Sequence, residues 1–444
     1  MKNPLWLPIA IFATVISSVQ SFGELEAPDV KWGGNSSLRF GQVVRGQPEA
    51  GKQKAQYHRV WTQELVAGLS LESKFKNFPA TGNLGVEFLV NNDNIIKPAD
   101  MGVTRRLNFY PYLQRADLLF NIVDRDDASI ELDIGYFPYK YNSSVRNLGE
   151  YLFRTGTYPQ YIINIVDFPQ ARLTGLRFGG SVLGKKLNFD IIATVNTEWT
   201  AIGDLNLSGI LAWKPVPLFE LGFGGSWCSI VSANMDQTTP VVSSSEYLGV
   251  ARGSSDTAIY NYTFAGQKIM ARLEFDIKKL FPGAENFGDQ DLKLYSEGAI
   301  LGWVNYPKAR YQPYGYENRW ERIPIMFGFN FPTFKFLDVL NLEIEYFNNP
   351  YPNSTNSIRF ENSPVPLSSY GGERDDKENL NQHEDDLKWS VYLKKTLCRN
   401  LSIMCQVAND HIRWHRLNYQ EADGNQALRK KTDWYYTFKL GYAF

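Results

Sequence analysis

Few residues of this chain are spaced for covalent chemistry. His411 and His415 stand four apart, which on a helix would aim two imidazoles at one metal ion. The Glu of a metalloprotease helix is missing there, and a strand end or loop is expected instead. The chain has four histidines, none beside a Ser or Cys in a nucleophile motif, so no catalytic triad is expected. The acidic run Glu373-Arg374-Asp375-Asp376-Lys377-Glu378, with Glu384-Asp385-Asp386, lacks the glycine and ligand spacing of a calcium loop and reads as solvated surface. Gly222-Phe223-Gly224-Gly225 falls inside a strand pattern rather than before a helix, so it is no dinucleotide loop. Cys228, Cys398 and Cys405 are an odd number, leaving at least one unpaired. Cys398 is expected in a turn and Cys405 partway up the next strand, too far apart to bridge. No enzyme activity, metal or cofactor is expected.

The recurring chemistry is ionic. Charged residues fall on alternate positions opposite an apolar face, strand after strand: Arg39, Glu64, Glu72, Glu87, Arg115, Asp117, Glu131, Asp133, Arg177, Asp190, Lys268, Arg272, Glu274, Asp276, Lys278, Arg322, Glu343, Glu345, Lys388, Lys394 and Lys439. Ile269, Ala271, Leu273, Phe275 and Ile277, for example, alternate with Lys268, Met270, Arg272, Glu274, Asp276 and Lys278. Isolated charges are too costly to bury in a dry core, so the charged face lines a wet space. The alternative is an interior packed with paired charges and no open path, since both signs are nearly balanced.

The elements that carry these residues are strands. Side chains on a strand alternate between faces, and a period-two pass finds sixteen candidates. They cover 36–46, 60–75, 81–91, 109–123, 127–138, 171–183, 186–197, 204–213, 217–229, 266–279, 290–304, 321–331, 338–348, 387–397, 401–410 and 434–444; those at 109–123 and 290–304 are the least regular. Short turns follow the second, fourth, sixth, eighth, twelfth and fourteenth, as at Asp124-Arg125-Asp126 and Cys398-Arg399-Asn400. The connection after the tenth is longer, at 280–289. Runs of about 14 to 38 residues follow the odd-numbered strands except the seventh, a sorting by parity that belongs to membrane barrels. The expected fold is all-β: a closed transmembrane antiparallel barrel of about sixteen strands.

Composition agrees. Aromatics make up 14% of the chain while mean hydropathy is −0.32. No segment beyond the N-terminus offers the run of uncharged apolar residues that a membrane helix needs. The net charge of −1 and the absence of a basic stripe give no argument for nucleic acid. Met1-Lys2-Asn3, the apolar run Leu5 to Ile16 and the small residues Ser21 and Gly23 read as a signal peptide over 1–23, with no Cys after it for a lipid anchor. Residues 24–35 then form a short periplasmic segment, and 36–444 the barrel.

Trp434, Tyr436, Phe438, Leu440, Tyr442 and Phe444 share one face of the last strand. With the strand count, the loop parity and the long segment Tyr139 to Gln170, this strand makes the chain resemble the general porins of the bacterial outer membrane. The resemblance covers nearly the whole mature chain but is architectural. It implies that Phe444 is the signal read by the barrel assembly machinery, that the outer face meets outer-membrane lipid, and that small hydrophilic solutes diffuse through the lumen. It implies also that the loop 139–170 folds inward and narrows the pore. Arg146, Glu150 and Arg154 are then the constriction candidates, set on one face if a helical turn forms. The two arginines outweigh Glu150 there, and weak anion preference is expected. Lumen-lining residues carried by the reading are Arg115, Asp117, Glu131, Asp133, Arg177, Arg272, Glu274, Glu343, Glu345 and Lys439. Homo-trimer and monomer both stay open. The rival function is a structural or surface-binding barrel, with Tyr247, Tyr260, Tyr262, Tyr346, Tyr351 and Tyr370 engaging carbohydrate or a protein partner.

Overall fold

The computed structural model describes residues 27–46, 61–76, 78–96, 103–155, 158–159, 171–197, 203–231, 250–252, 261–263, 266–303, 319–348, 386–410, 428 and 430–444. Twenty strands are present among them: β1 (Asp29–Arg45), β2 (Trp61–Lys74), β3 (Ala80–Ile96), β4 (Val103–Asp124), β5 (Ser129–Tyr139), β6 (Arg154–Thr155), β7 (Tyr158–Pro159), β8 (Ala171–Val182), β9 (Leu187–Val195), β10 (Leu205–Val216), β11 (Phe219–Val231), β12 (Val250–Arg252), β13 (Asn261–Thr263), β14 (Gly266–Asp276), β15 (Lys293–Ile300), β16 (Ile325–Asn330), β17 (Val339–Tyr346), β18 (Leu387–Thr396), β19 (Leu401–Ala408) and β20 (Trp434–Ala443). Sixteen of them close into one antiparallel barrel, in the order β1 to β5, β8 to β11 and β14 to β20, with β20 returning to β1. This is the closed sixteen-stranded architecture that the porin resemblance implied. Closure pairs the wall's backbone groups and leaves no sheet edge between β20 and β1. The pairs β6–β7 and β12–β13 are small separate ribbons.

Alternation decides what faces outward. On β20 Phe438 and Tyr442 are exposed on the outer wall, while Tyr435 and Thr437 are buried inside. Across the turn between β18 and β19, Leu397 N–H donates to Leu401 O at 2.8 Å, so the expected facing of these two residues holds. Leu65, Leu69, Phe223, Ile269, Phe327 and Phe438 belong to an exposed apolar outer band. Inward positions hold Arg39, Glu64, Glu87, Asp117, Lys268, Glu297 and Glu343.

Several expectations need correction. The first strand begins at Asp29 and pairs with β2 from there, so most of the supposed periplasmic segment 24–35 is barrel wall. β3 and β4 stay paired as far as Ile96↔Val103, so most of the segment read as a long loop is hairpin. Irregularity in β4 has a cause: Gly85 opposes Arg115 and Val86 opposes Leu113, which leaves Gln114 as a bulge. Arg322 lies in the 3-10 turn Arg319–Arg322 and Lys278 in the turn Ile277–Leu280, neither on a strand. Lys278 is drawn there because its ammonium donates to Gly288 O at 3.2 Å and to Asp289 O.

Candidate functional site: the lumen and its inward loop

The loop after β5 leaves the wall at a glycine. Gly135 has φ +134, and a Cβ there would lie 2.3 Å from Ala116 O, so no other residue fits. Pairing of β4 with β5 stops at Ala116↔Tyr136, whereas β5 and β8 remain paired to Tyr139↔Ala171. The upper β5–β8 ribbon therefore parts from β4 and carries residues 140–155 across the lumen.

The far wall receives the loop through buried carboxylates. Glu343 accepts the backbone N–H of Arg146 (2.5 Å), Asn147 (2.7 Å) and Leu148 (2.8 Å) and the Tyr295 hydroxyl (2.6 Å). Glu297 accepts the Tyr141 hydroxyl (2.6 Å), the Asn142 amide (2.9 Å) and the Tyr151 backbone N–H (2.9 Å). Ser144 donates to Glu274 and the Tyr151 hydroxyl to Glu345, each at 2.6 Å. The Lys268 ammonium caps the carbonyls of Tyr151, Leu152 and Arg154. Each wall charge thus meets backbone dipoles or hydroxyls instead of water, which is how a buried ion is tolerated. Around these bonds Val145, Leu148, Tyr151, Leu152 and Phe153 pack with Leu173, Ile192, Ile210, Met270, Tyr295, Met326 and Phe347 in one apolar cluster. The loop is a packed fixture of the wall.

The three constriction candidates are placed differently from expectation. They do not share one helical face: the 3-10 turn Tyr151–Phe153 stands between Glu150, which is left-handed at φ +61, and Arg154, which opens β6. Arg146, Glu150 and Arg154 are all buried. Arg146 donates to Gln290 at 3.1 Å, and Arg154 donates to Asn147 O at 2.8 Å. Glu150 accepts the Asn142 backbone N–H, which holds the strained turn. Burial pushes the Glu150 carboxyl up and the Lys140 ammonium down from their ordinary values, and each acts on the other. Lys140 donates to Val145 O at 2.6 Å. Burial likewise raises the Tyr141 and Tyr151 hydroxyls, which stay donors.

The lumen-lining set divides in two. Glu343 and Glu345 lie under the loop, and Asp117, Asp133 and Arg272 are also buried. Partly exposed charges concentrate toward the end of the short turns. Arg115 is bidentate on Asp117, and Arg177 bridges Glu131 and Asp190, both at 2.7 Å. Arg272 pairs with Glu220, Lys293 lies 3.6 Å from Glu274, and Lys439 sits opposite Arg39. Arg39, the cross-strand neighbour of Lys439, forms a fully buried pair with Glu64 at 2.9 Å, and the Thr62 hydroxyl adds a bond to Glu64.

Sequence reasoning missed Arg172. Its position belongs to the outward parity of β8, yet the bent ribbon turns it inward, where it meets Glu87 at 3.0 Å. Gln114, which donates to the same Glu87 at 3.1 Å, was hidden by the bulge. Cys228 is buried, Cys398 exposed and Cys405 intermediate, all three as free thiols. His411, His415, the acidic residues 373–378 and 384–385, and Tyr247, Tyr260, Tyr351 and Tyr370 lie outside the described residues, whereas Asp386, expected on the solvated surface, is buried.

No protein-family model and no curated protein matches the chain. Among solved structures it is similar to Pseudomonas putida OprB, at 10% identity and TM-score 0.48 over 94% of each chain. It is similar also to Salmonella typhi OmpF, at 11% and 0.44 over 94% of this chain and 98% of that one. A mutant of Rh. blastica porin gives 5% and 0.43 over 94% and 100%. At such identities and scores these likenesses carry no argument of their own, and the barrel rests on its own strand order.

Proposed function

We propose that this chain is a porin-like channel of the bacterial outer membrane, passing small hydrophilic solutes by diffusion without cofactor or covalent chemistry. The short turns then face the periplasm, the outer apolar band meets lipid, and residues 1–23 are removed on export. The observation that carries the reading is the pairing of an apolar outer wall with partly exposed charges at the turn end of the lumen: Arg115, Glu131, Arg177 and Lys439. Charges kept half in water inside a closed barrel are what a hydrated passage needs and what a dry core cannot hold. The narrowing element is the loop of residues 140–155. Selectivity belongs to the accessible charges facing it and not to Arg146 and Arg154, which are buried. Planar-bilayer conductance of the purified, folded protein tests this; discrete conductance steps are expected, and a folded but silent barrel would overturn it.

A second reading, a structural or surface-binding barrel, is favoured by the complete burial of Arg39, Glu64, Arg322 and Lys388. The same conductance measurement separates the two.

A further inference from the structure

We infer that the wall of β1–β4 carries a binding site for the oxyanion of a small polyhydroxylated solute, a carboxylate or a phosphate monoester, in the cavity under Arg172. The inference rests on the channel reading and deepens it by naming the solute class.

A cavity of about 420 Å³ opens where β1, β2, β3 and β4 run beneath the bent ribbon. That lies within the roughly 300–1,000 Å³ of small-molecule sites. Three separate devices make the space. Gly33 and Gly85 contribute no side chain to its floor; a Cβ at Gly33 would lie 3.0 Å from the Ser70 hydroxyl, and one at Gly85 3.0 Å from the Gln114 amide oxygen. The bulge turns two successive side chains, Gln114 and Arg115, into the same cavity. The bend at Gly135 brings Pro138 and Arg172 over it.

The cations are held ready from behind. Asp117 takes Nε and Nη2 of Arg115, so Nη1 remains for a ligand in the cavity. Asp117 is itself fixed by the Asn83 amide at 2.9 Å. Glu87 takes Arg172 Nη2 and Gln114 Nε2, which locks the roof to the bulge. A guanidinium already oriented by one carboxylate loses little freedom on meeting a second oxyanion. Lys31 is exposed on the neighbouring wall and adds a mobile positive charge. Glu72, at the register position opposite Lys31, is the acid of the lining. It repels a second anionic group and accepts a hydroxyl, so the fitting solute has its anion at one end and hydroxyls along its chain. Ser70, Asn83 and Gln114 supply further hydroxyl and amide groups.

The probes are D-gluconate, D-glucose 6-phosphate and, as the neutral control, D-glucose, titrated calorimetrically into the detergent-folded barrel. Saturable binding of gluconate or the phosphate ester, with none for glucose, is expected; the tighter of the two identifies the oxyanion. Arg115→Lys keeps the charge and the fold but loses the fork, and should weaken binding about tenfold or more. Lys31→Gln should weaken it about threefold, while Lys394→Gln on the distant strand β18 leaves it unchanged. Equal binding of glucose, no binding by either anion, or equal losses in Lys394→Gln and Arg115→Lys each overturn the site. Calorimetry needs no current, so the two ideas fail separately. A silent barrel that binds gluconate sinks the channel alone, and a conducting barrel that binds neither anion sinks the site alone.

Discussion

Gly34 and Phe444 exchange both backbone hydrogen bonds, each at 2.9 Å, and the Phe444 ring occupies the space beside Gly34 where a side chain would stand. A Cβ at residue 34 would lie 2.4 Å from the ring. The seam between β1 and β20 thus ends in a small-to-large pair that only glycine permits.

Gly34→Val should therefore impair closure at a cost of about 1–3 kcal/mol from overpacking. The readout is the heat-modifiable gel shift of folded barrels. Adding Phe444→Ala to Gly34→Val should restore part of the folded fraction if the ring is the obstacle, and leave it unchanged if the strain lies elsewhere.

Glu343→Leu removes the acceptor for three consecutive loop N–H groups, each costing about 1–3 kcal/mol when left buried and unbonded. The loop should unseat while the barrel stays folded, with new protease cleavage in 140–155 and a larger single-channel conductance. An intact, uncleaved loop in that variant would show that the apolar cluster alone holds it.

Leu148→Ala tests that cluster. Leu148 is fully buried between the loop and the far wall, so the truncation should weaken seating by about 2–5 kcal/mol. Hydrogen exchange of the loop amides reads it, and unchanged protection would count against a packed loop.

Seating should also depend on pH. Burial raises the Glu150 carboxyl, with Lys140 and Arg154 pulling it back and Glu297 adding to the rise. A raised carboxyl means the seated loop binds its proton more tightly than the released loop. Its contribution is complete below the ordinary carboxylate range and is lost progressively as pH rises through about 8. Lys140, lowered by burial, acts in the opposite sense above neutrality. Loop protection should thus fall between about pH 5 and 7, and Glu150→Gln should flatten that fall.

Replacing Arg146 and Arg154 together by glutamate should not simply invert ion selectivity. Both guanidiniums are buried against loop and wall acceptors, so the double variant should lose loop protection before any selectivity can be read. A normally seated loop with reversed selectivity would return these residues to the constriction.

The sequence by itself determined the barrel. Period-two alternation on β14, β17 and β20 is local, each residue's face following from its neighbours two positions away, and the short turns fix which strands pair. Leu397 and Leu401 could be placed opposite each other from parity alone. It also marked Glu343, Glu345, Arg115 and Asp117 as inward. What those residues do was decided by tertiary structure. Glu343 receives its partners from residues 146 to 148, far along the chain, and nothing in its own strand distinguishes a loop anchor from an open wall charge. Arg146, Glu150 and Arg154 look solvent-facing by composition, yet Gly135 turns the ribbon so that they dock on a wall which supplies buried acceptors. Arg172 and Gln114 break parity because a bend and a bulge each shift a side chain to the other face. Local pattern sets the direction of a side chain from the backbone, but only the meeting of distant strands sets what it finds there.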